Sequence, residues 1–498
     1  MQTSSGSIPT VIRSSGEEPT IILPPAGQFI GGQFAESEGG HTEIFRPATG
    51  EVITTVCAGV AADVDKAVVA AQKAQPAWGA LTPRERSETL HNVADAIEAH
   101  ADILMALESL NTGKPQAVVQ DDVESAMDAF RFMAGACRSL TSMAAGDYVQ
   151  EHTSVILREP VGVIGVVTPW NYPLLMAAWK LAPILAAGNS IVLKPSEQTP
   201  LSTLKLAEIT AQILPAGLFN VVTGFGLPVG NRIAEHPDID MIALTGSIGS
   251  GSAVASAAAP SRKRVHLELG GKAPVVVFAD ADLTAVARTI REAGFWNSGQ
   301  ECGAACRVLV QDTLADELIA ALASEVAQIT VGDPAGNPDV ELGPLVSKEH
   351  FDRVTGFLER ALADGLRPVT GGGPLPGVGY FVAPTVLADV PAGAEAATNE
   401  IFGPVVTIET FADEGEAIRR ANETQYGLSA SVWTSDAQRC IRLPRLLDFG
   451  TVWVNSHLTL ANELPWGGFK GSGYGRDLSL YALDDFSRTK HVMFNHGG

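Results

Sequence analysis

Apolar residues recur at three- and four-residue spacing over 61–75 (AADVDKAVVAAQKAQ) and 84–109, which predicts two amphipathic helices, with Thr82 and Pro83 set as cap and first-turn residue of the second. From Ser154 the pattern changes to short β-branched runs, VILREPVGVIGVVTP, SIVLKP, FNVVTG and MIALTG, alternating with helical segments over 174–187 and 201–214. The alternation resumes after Gly270 with APVVVFA, a helix over 283–296, RVLVQ, a helix over 314–329, and then VVTIETF and GTVWVN. Strand and helix in repeated succession predict an α/β fold of two doubly wound parallel-sheet domains. Between them lies HLELGGKAP, a hinge candidate whose paired glycines let the backbone approach something closely. The final run FSRTKHVMF alternates like a strand but has no partner nearby in sequence, and such an exposed edge, which another element or chain tends to cover, points to oligomerisation.

Composition narrows the class. The chain has 498 residues and a formal net charge of −22, a balance that repels phosphate backbones and anionic lipid. No nucleic-acid partner is expected. The apolar stretches over 160–170 and 181–187 fall short of the roughly 18 residues a membrane span needs, so no membrane partner is expected either. Residues 1–26 are rich in Ser, Gly and Pro with Arg13 as their single base, which reads as a flexible arm and not a signal peptide, and a cytoplasmic location is expected. The five cysteines, Cys57, Cys137, Cys302, Cys306 and Cys440, are too sparse for a disulfide framework and are expected to be reduced.

Several residues could carry chemistry. Cys302, in FWNSGQECGAACR between Gly299 and Gly303, could present a nucleophilic thiol on a turn, or pack as a small hydrophobe. Packing is the reading for Cys57, Cys137 and Cys440. Cys306 lies four residues beyond Cys302, a spacing that without His nearby makes no zinc site, and no metal is expected. Glu268, flanked by Leu267 and Leu269 at a strand end, suits a general base of raised pKa, or an ion pair with Lys263 or Arg264. Turns after strands, at TPWNYP, at Gly224 and Gly226, and over Gly246 to Gly251, are where nucleotide phosphates meet helix N-termini in parallel sheets. The run Lys194-Pro195-Ser196-Glu197 adds a base and an acid able to bracket a ribose, the acid disfavouring a 2′-phosphate.

Taken together TPWNYP, KPSE, LTGS, LELGGK, GQEC, EIFGPV and PWGGFKGSGYGRD resemble the aldehyde dehydrogenase superfamily from about residue 29 to residue 493. The resemblance implies Cys302 as nucleophile, Glu268 as general base and Asn171 as oxyanion-hole amide. It implies an NAD site built from Thr168, Pro169, Trp170, Lys194, Ser196, Glu197, Gly226, Gly246, Ser247, Gly251, Leu269, Glu400 and Phe402. Within the superfamily the chain resembles aminoaldehyde and betaine aldehyde dehydrogenases, which implies a substrate tunnel lined by Tyr172, Trp179, Trp296 and Trp466. Asp121, Asp122 and Glu124 match an acidic helix at its entrance. The implied reaction is oxidation of a small-molecule aldehyde, 4-aminobutanal to 4-aminobutanoate first, with betaine aldehyde or a broad aliphatic or aromatic range as the alternative. Glu301 and Gly303 depart from the apolar or larger neighbours the family more often places beside its cysteine. The implied organisation is an NAD-binding domain over 27–145 and 160–268, a catalytic domain over 269–482, and a small β flap of oligomerisation strands over 146–159 and 483–498, in a homodimer or homotetramer.

Overall fold

A computed structural model describes residues 21–335 and 337–497, so most of the expected N-terminal arm, residues 1–20, lies outside the described residues. Two large sheets organise it. In the first, strands Arg264–Leu269, Met241–Gly246, Val163–Val167, Ser190–Lys194 and Phe219–Val221 run parallel in that order. Antiparallel strands close its two ends: Gly473–Tyr474 beside Arg264–Leu269, and the hairpin Gln28–Ile30 and Gln33–Ala35 beyond Phe219–Val221. The second sheet carries six parallel strands in the order Thr385–Ala388, Val405–Phe411, Arg307–Gln311, Pro274–Val277, Ser429–Trp433 and Thr451–Val454, with antiparallel Arg367–Thr370 at its edge. Its central strand Pro274–Val277 reads Pro-Val-Val-Val with every position buried, as a parallel strand covered by helices on both faces requires.

The chain departs from the periodicity at particular places. The segment expected as one helix over 84–109 is two, Pro83–Ala99 and Ala101–Thr112, because His100 leaves helical geometry at φ −116° and ψ 16°. Thr82 does cap the first of them: its hydroxyl accepts from the Glu85 amide while the Glu85 carboxylate accepts from the Thr82 amide at 2.7 Å. The helix expected over 201–214 stops at Thr210. Strand Gly473–Tyr474, from the segment assigned to the second domain, pairs with Leu267 and Glu268, so the C-terminal part of the chain returns to complete the first sheet.

The C-terminal strand finds its partner some three hundred residues upstream. Ser487–Asn495 pairs antiparallel along its whole length with His152–Pro160, and Ala145–Val149 adds a third strand. Ser487–Asn495 lies at the edge of this small sheet, and Met493 and Phe494 are exposed there. No helix among the described residues is long and apolar enough to cross a membrane.

Candidate active site

The chain passes from one large sheet to the other over residues 270–273, between strands Arg264–Leu269 and Pro274–Val277. A cavity of about 1110 Å³ opens at this crossing, at the C-terminal ends of the parallel strands. The glycines serve the close approach their pairing predicted. A Cβ at Gly270 would lie 2.2 Å from Glu400 Oε2, and one at Gly271 would lie 2.3 Å from the Cys302 carbonyl oxygen.

Cys302 follows a turn in which Asn297, Ser298 and Gly299 all have positive φ, 49°, 57° and 71°. Two of these are not glycine and carry strain, of order ~1–3 kcal/mol each. Buried hydrogen bonds hold them: Asn297 Nδ2 donates to the Asn171 carbonyl at 3.1 Å, Ser298 Oγ to the Gly343 carbonyl at 2.8 Å, and the Val346 amide to Gln300 Oε1 at 2.9 Å. Beyond the cysteine, His457 Nε2 donates to the Gly303 carbonyl at 2.8 Å while its Nδ1 accepts from Ser431 Oγ. Burial keeps that imidazole neutral, its pKa lowered to about 4.

The thiol therefore stands on a fixed turn in the cavity wall, half-buried and packed in part against the hydrophobic core. Burial pushes its pKa well above the usual thiol range, and the carboxylates of Glu301 and Glu268 push it further. Cys302 Sγ donates to Glu301 Oε1 at 3.3 Å, and the same oxygen accepts from the Gly303 amide at 3.0 Å. Asn171, on the turn leading into helix Pro173–Ala186, donates one Nδ2 hydrogen to the Gln300 carbonyl at 3.0 Å, which leaves its second hydrogen for another acceptor. The Cys302 amide has no acceptor among the described residues.

Glu268 is not paired with Lys263 or Arg264, which turn away to the His236 and Ser487 carbonyls. Its Oε1 accepts from Trp466 Nε1 at 3.2 Å and its Oε2, buried, has no partner. Burial raises its pKa well above the ordinary carboxylate range, and nearby Asp477 adds to the rise. Behind it Lys180 donates to both oxygens of Asp477 at 2.6 and 2.7 Å in a fully buried pair, which holds Asp477 ionised at a pKa of about 2.

Of the residues expected to hold a dinucleotide, Pro169, Trp170, Glu197, Gly246, Ser247, Leu269, Glu400 and Phe402 line the cavity. Lys194 stands behind them, donating to Glu197 Oε2 at 3.2 Å. Thr168, Ser196 and Gly226 do not reach the cavity wall, and Gly251 instead admits Leu269, whose Cδ1 would lie 2.6 Å from a Cβ there. Ser247 caps helix Ile248–Ala258, accepting from the Ser250 amide. Glu400 accepts from the Gly271 amide at 2.8 Å, and burial raises its pKa to about 7. Sequence reasoning missed His350 and Arg353. The first stacks on Trp170 with ring centres 4.7 Å apart, and the second donates to the Glu400 carbonyl at 2.6 Å.

On the other side Tyr172, Trp179, Trp296 and Trp466 line the cavity, and helix Gln116–Ala136 presents Asp121, Glu124, Ser125 and Asp128 to it, one face at helical spacing. Asp122, expected with them, is not on that face. It points into the protein, where Lys114 bridges it to Glu108 in a completely buried cluster. Lys114 also lies 4.2 Å from the centre of the Tyr172 ring.

A thiol, a free amide hydrogen and an unpartnered carboxylate oxygen in one cavity form a set for acyl chemistry on sulfur. The family model for the aldehyde dehydrogenase family matches residues 34–492. The chain belongs to that family. It is 40% identical over 477 residues to an aldehyde dehydrogenase of Emericella nidulans, covering 95% of this chain and 96% of that protein. It is 41% identical to a betaine aldehyde dehydrogenase of Sinorhizobium fredii, covering 95% and 98%. Among solved structures, betaine aldehyde dehydrogenase from Staphylococcus aureus in complex with NAD+ superposes with a TM-score of 0.92 at 35% identity, covering 95% of this chain and 96% of that one. The aldehyde dehydrogenase KauB from Pseudomonas aeruginosa does so with a TM-score of 0.93 at 35% identity, covering 95% and 97%.

The electrostatics of this dehydrogenase's thiol give a direct test. Alkylation of Cys302 by iodoacetamide, followed by peptide mass spectrometry, will rise with pH and reach its midpoint above that of a free thiol. Glu301→Gln removes one of the charges that oppose the thiolate, so it will move the midpoint to lower pH. An unchanged midpoint would show that Glu301 does not act on the thiol.

Proposed function

We propose that this dehydrogenase carries out NAD-dependent oxidation of an aldehyde bearing an ammonium group, 4-aminobutanal foremost, to the carboxylic acid. The observation that carries the chemistry is the shared cavity of Cys302 Sγ, the spare Asn171 hydrogen and the open Glu268 Oε2. Cys302 passes its proton to the Glu301 carboxylate that it hydrogen-bonds, and the thiolate attacks the carbonyl carbon. The oxyanion is received by Asn171 Nδ2 and the Cys302 amide, and the proton returns to sulfur when the acid departs. Hydride leaves that carbon as the oxyanion collapses, giving a thioester on Cys302. Glu268 then takes a proton from the water that attacks the thioester, and the acid departs with the thiol restored.

The cavity's far wall fits a dinucleotide. Thr245 Oγ1 and Gln198 Oε1 are buried without partners beside it, and the start of helix Ile248–Ala258 suits a phosphate. Glu197 would accept both ribose hydroxyls and repel a 2′-phosphate, which favours NAD. When bound, the dinucleotide supplies the hydride acceptor.

The ammonium is supported by charge. Asp121, Glu124 and Asp128 on one helix face, with Glu301 beside the nucleophile, make the substrate side acidic. Glu301 also favours a second reading, betaine aldehyde, because a carboxylate next to Cys302 suits a cation close to the aldehyde carbon. The open edge of strand Ser487–Asn495, with Met493 and Phe494 exposed, supports assembly into a homodimer or homotetramer. Light scattering after size exclusion should give two or four times the 52.1 kDa chain mass, and a monomer would reject the assembly.

Initial rates of NADH formation with NAD and 4-aminobutanal, 3-aminopropanal, betaine aldehyde, hexanal and phenylacetaldehyde test the substrate. A cationic aldehyde should exceed a neutral one by at least tenfold in kcat/KM, about 1.4 kcal/mol, and Asp121→Asn with Glu124→Gln should shrink that margin. If hexanal is preferred, the ammonium reading fails while the oxidation stands. Glu268→Gln should lower steady-state turnover by about 10²–10⁴-fold yet keep a first burst of NADH stoichiometric with Cys302. Loss of the burst as well would remove Glu268 from the water-activating role.

A further inference from the structure

Far from the chemistry in sequence, three side chains of different type converge at the N-terminal hairpin, and none of them lines the catalytic cavity. Strands His41–Phe45 and Val52–Cys57 pair antiparallel with His41 directly opposite Cys57, which puts the two side chains on one face. Glu36 reaches the same point from the segment after strand Gln33–Ala35, held by Ser37, whose hydroxyl donates to Asp63 Oδ2 at 2.6 Å and lies 3.0 Å from the Ala58 carbonyl oxygen. Cys57 Sγ lies 2.9 Å from Glu36 Oε2 and 3.7 Å from His41 Nε2, and those two atoms are 3.7 Å apart.

We propose that Glu36, His41 and Cys57 form a binding site for a zinc-class divalent transition metal. Tetrahedral zinc with Zn–S of about 2.3 Å and Zn–N or Zn–O of about 2.0–2.1 Å separates its ligands by about 3.3–3.6 Å. The two separations to His41 Nε2, 3.7 Å each, lie close to that spacing, and the 2.9 Å between Cys57 Sγ and Glu36 Oε2 is a thiol hydrogen bond that must open when the metal replaces the proton. A thiolate, an imidazole and a carboxylate suit a borderline-soft ion and are poor ligands for calcium or magnesium, which select oxygen alone. The carboxylate and imidazole are exposed, so the metal has an entry path and a solvent-facing fourth position for water. The thiol is anchored from behind. The Cys57 amide donates to the Ala26 carbonyl at 2.7 Å, and the Cys57 carbonyl accepts from Gln28 Nε2 and Thr223 Oγ1. Asp63 is committed to Ser37, the Val60 amide and Lys66 and is not a ligand.

Binding exchanges the S–H bond of Cys57 for a metal–sulfur bond, and the proton leaves to solvent with no change of oxidation state. The bound ion would clamp the hairpin to the segment after Gln33–Ala35 and, through the Cys57 carbonyl, to Thr223 at the end of the first sheet. Its role is that of a structural staple.

The test uses the full chain carrying Cys302→Ser, which removes the cavity thiol as a competing ligand. Cobalt titrated into the metal-stripped protein should give a thiolate-to-cobalt charge-transfer band and tetrahedral visible bands that saturate at one equivalent and vanish on adding zinc. Zinc should also raise Tm. His41→Ala and Glu36→Gln, both at exposed positions, should weaken cobalt binding at least tenfold and cancel the zinc-dependent rise in Tm. Absence of a thiolate band at saturating cobalt, or a band unaffected by both substitutions, would overturn the site and leave Cys57 as a thiol hydrogen-bonded to Glu36. Neither outcome bears on the oxidation proposed for the catalytic cavity.

Discussion

The two large sheets meet where the backbone has no room for a side chain. Residues 270–273 carry the chain between them, and at Gly270 and Gly271 a Cβ would fall within 2.3 Å of Glu400 and of the Cys302 carbonyl. That contact ties together groups remote in sequence. It sets Glu268, the last-but-one residue of one sheet's edge-side parallel strand, against the turn bearing Cys302, and it lets the Gly271 amide hold Glu400. The strain of the left-handed Asn297 and Ser298 belongs to the same arrangement. A relaxed turn would redirect the thiol, and the buried hydrogen bonds of Asn297, Ser298 and Gln300, worth about 1 kcal/mol each, oppose that relaxation.

The surroundings of the thiol are anionic, with Glu301 in contact and Glu268 and Glu400 nearby. Reactive cysteines are more often activated by a neighbouring cation or a helix N-terminus. Here the largest charges acting on Cys302 are the carboxylates of Glu301, Glu268 and Glu400, and all three oppose the thiolate. The field of those carboxylates favours the thiol over the thiolate, and positive charge brought by a ligand would offset it. The acidic helix face at the entrance adds to the same negative field.

Much of this was legible from short-range pattern. The β-branched runs named the parallel strands, since strands buried on both faces are continuous apolar runs, and the motifs named Cys302, Glu268 and Asn171. What was not legible depended on direction or distance. Asp121 and Asp122 are neighbours in sequence, but one helical step of about 100° sends the first to the cavity and the second to Lys114. Spacing alone allowed Glu268 to pair with Lys263 or Arg264, yet an extended strand rises about 3.3 Å per residue, which carries side chains four or five positions apart out of ion-pair reach, and both bases found carbonyls elsewhere. Cys57 read as a packed hydrophobe because its register with His41 is a property of the hairpin and not of either strand. The partner of strand Ser487–Asn495 lies too far upstream for any local signal.

The aromatic residues illustrate how a fold can reassign what a sequence offers. Four rings in a tunnel suggest a box for an ammonium group, each face worth about 0.5–2 kcal/mol. Two of the four are already engaged. Lys114 Nζ lies over the Tyr172 ring at 4.2 Å, and Trp466 donates its indole N–H to Glu268. One face of Tyr172 is thus already covered by Lys114, which Glu108 and Asp122 hold in place. Trp466 is oriented by the base it serves and stacks at 6.0 Å on Trp453. The rings therefore act mainly as walls that exclude water and keep the local dielectric low, and that in turn strengthens the carboxylates across the cavity. The negative charge on this side of the cavity comes from Asp121, Glu124, Asp128 and Glu301, acids that the apolar walls make more effective than they would be in open solvent.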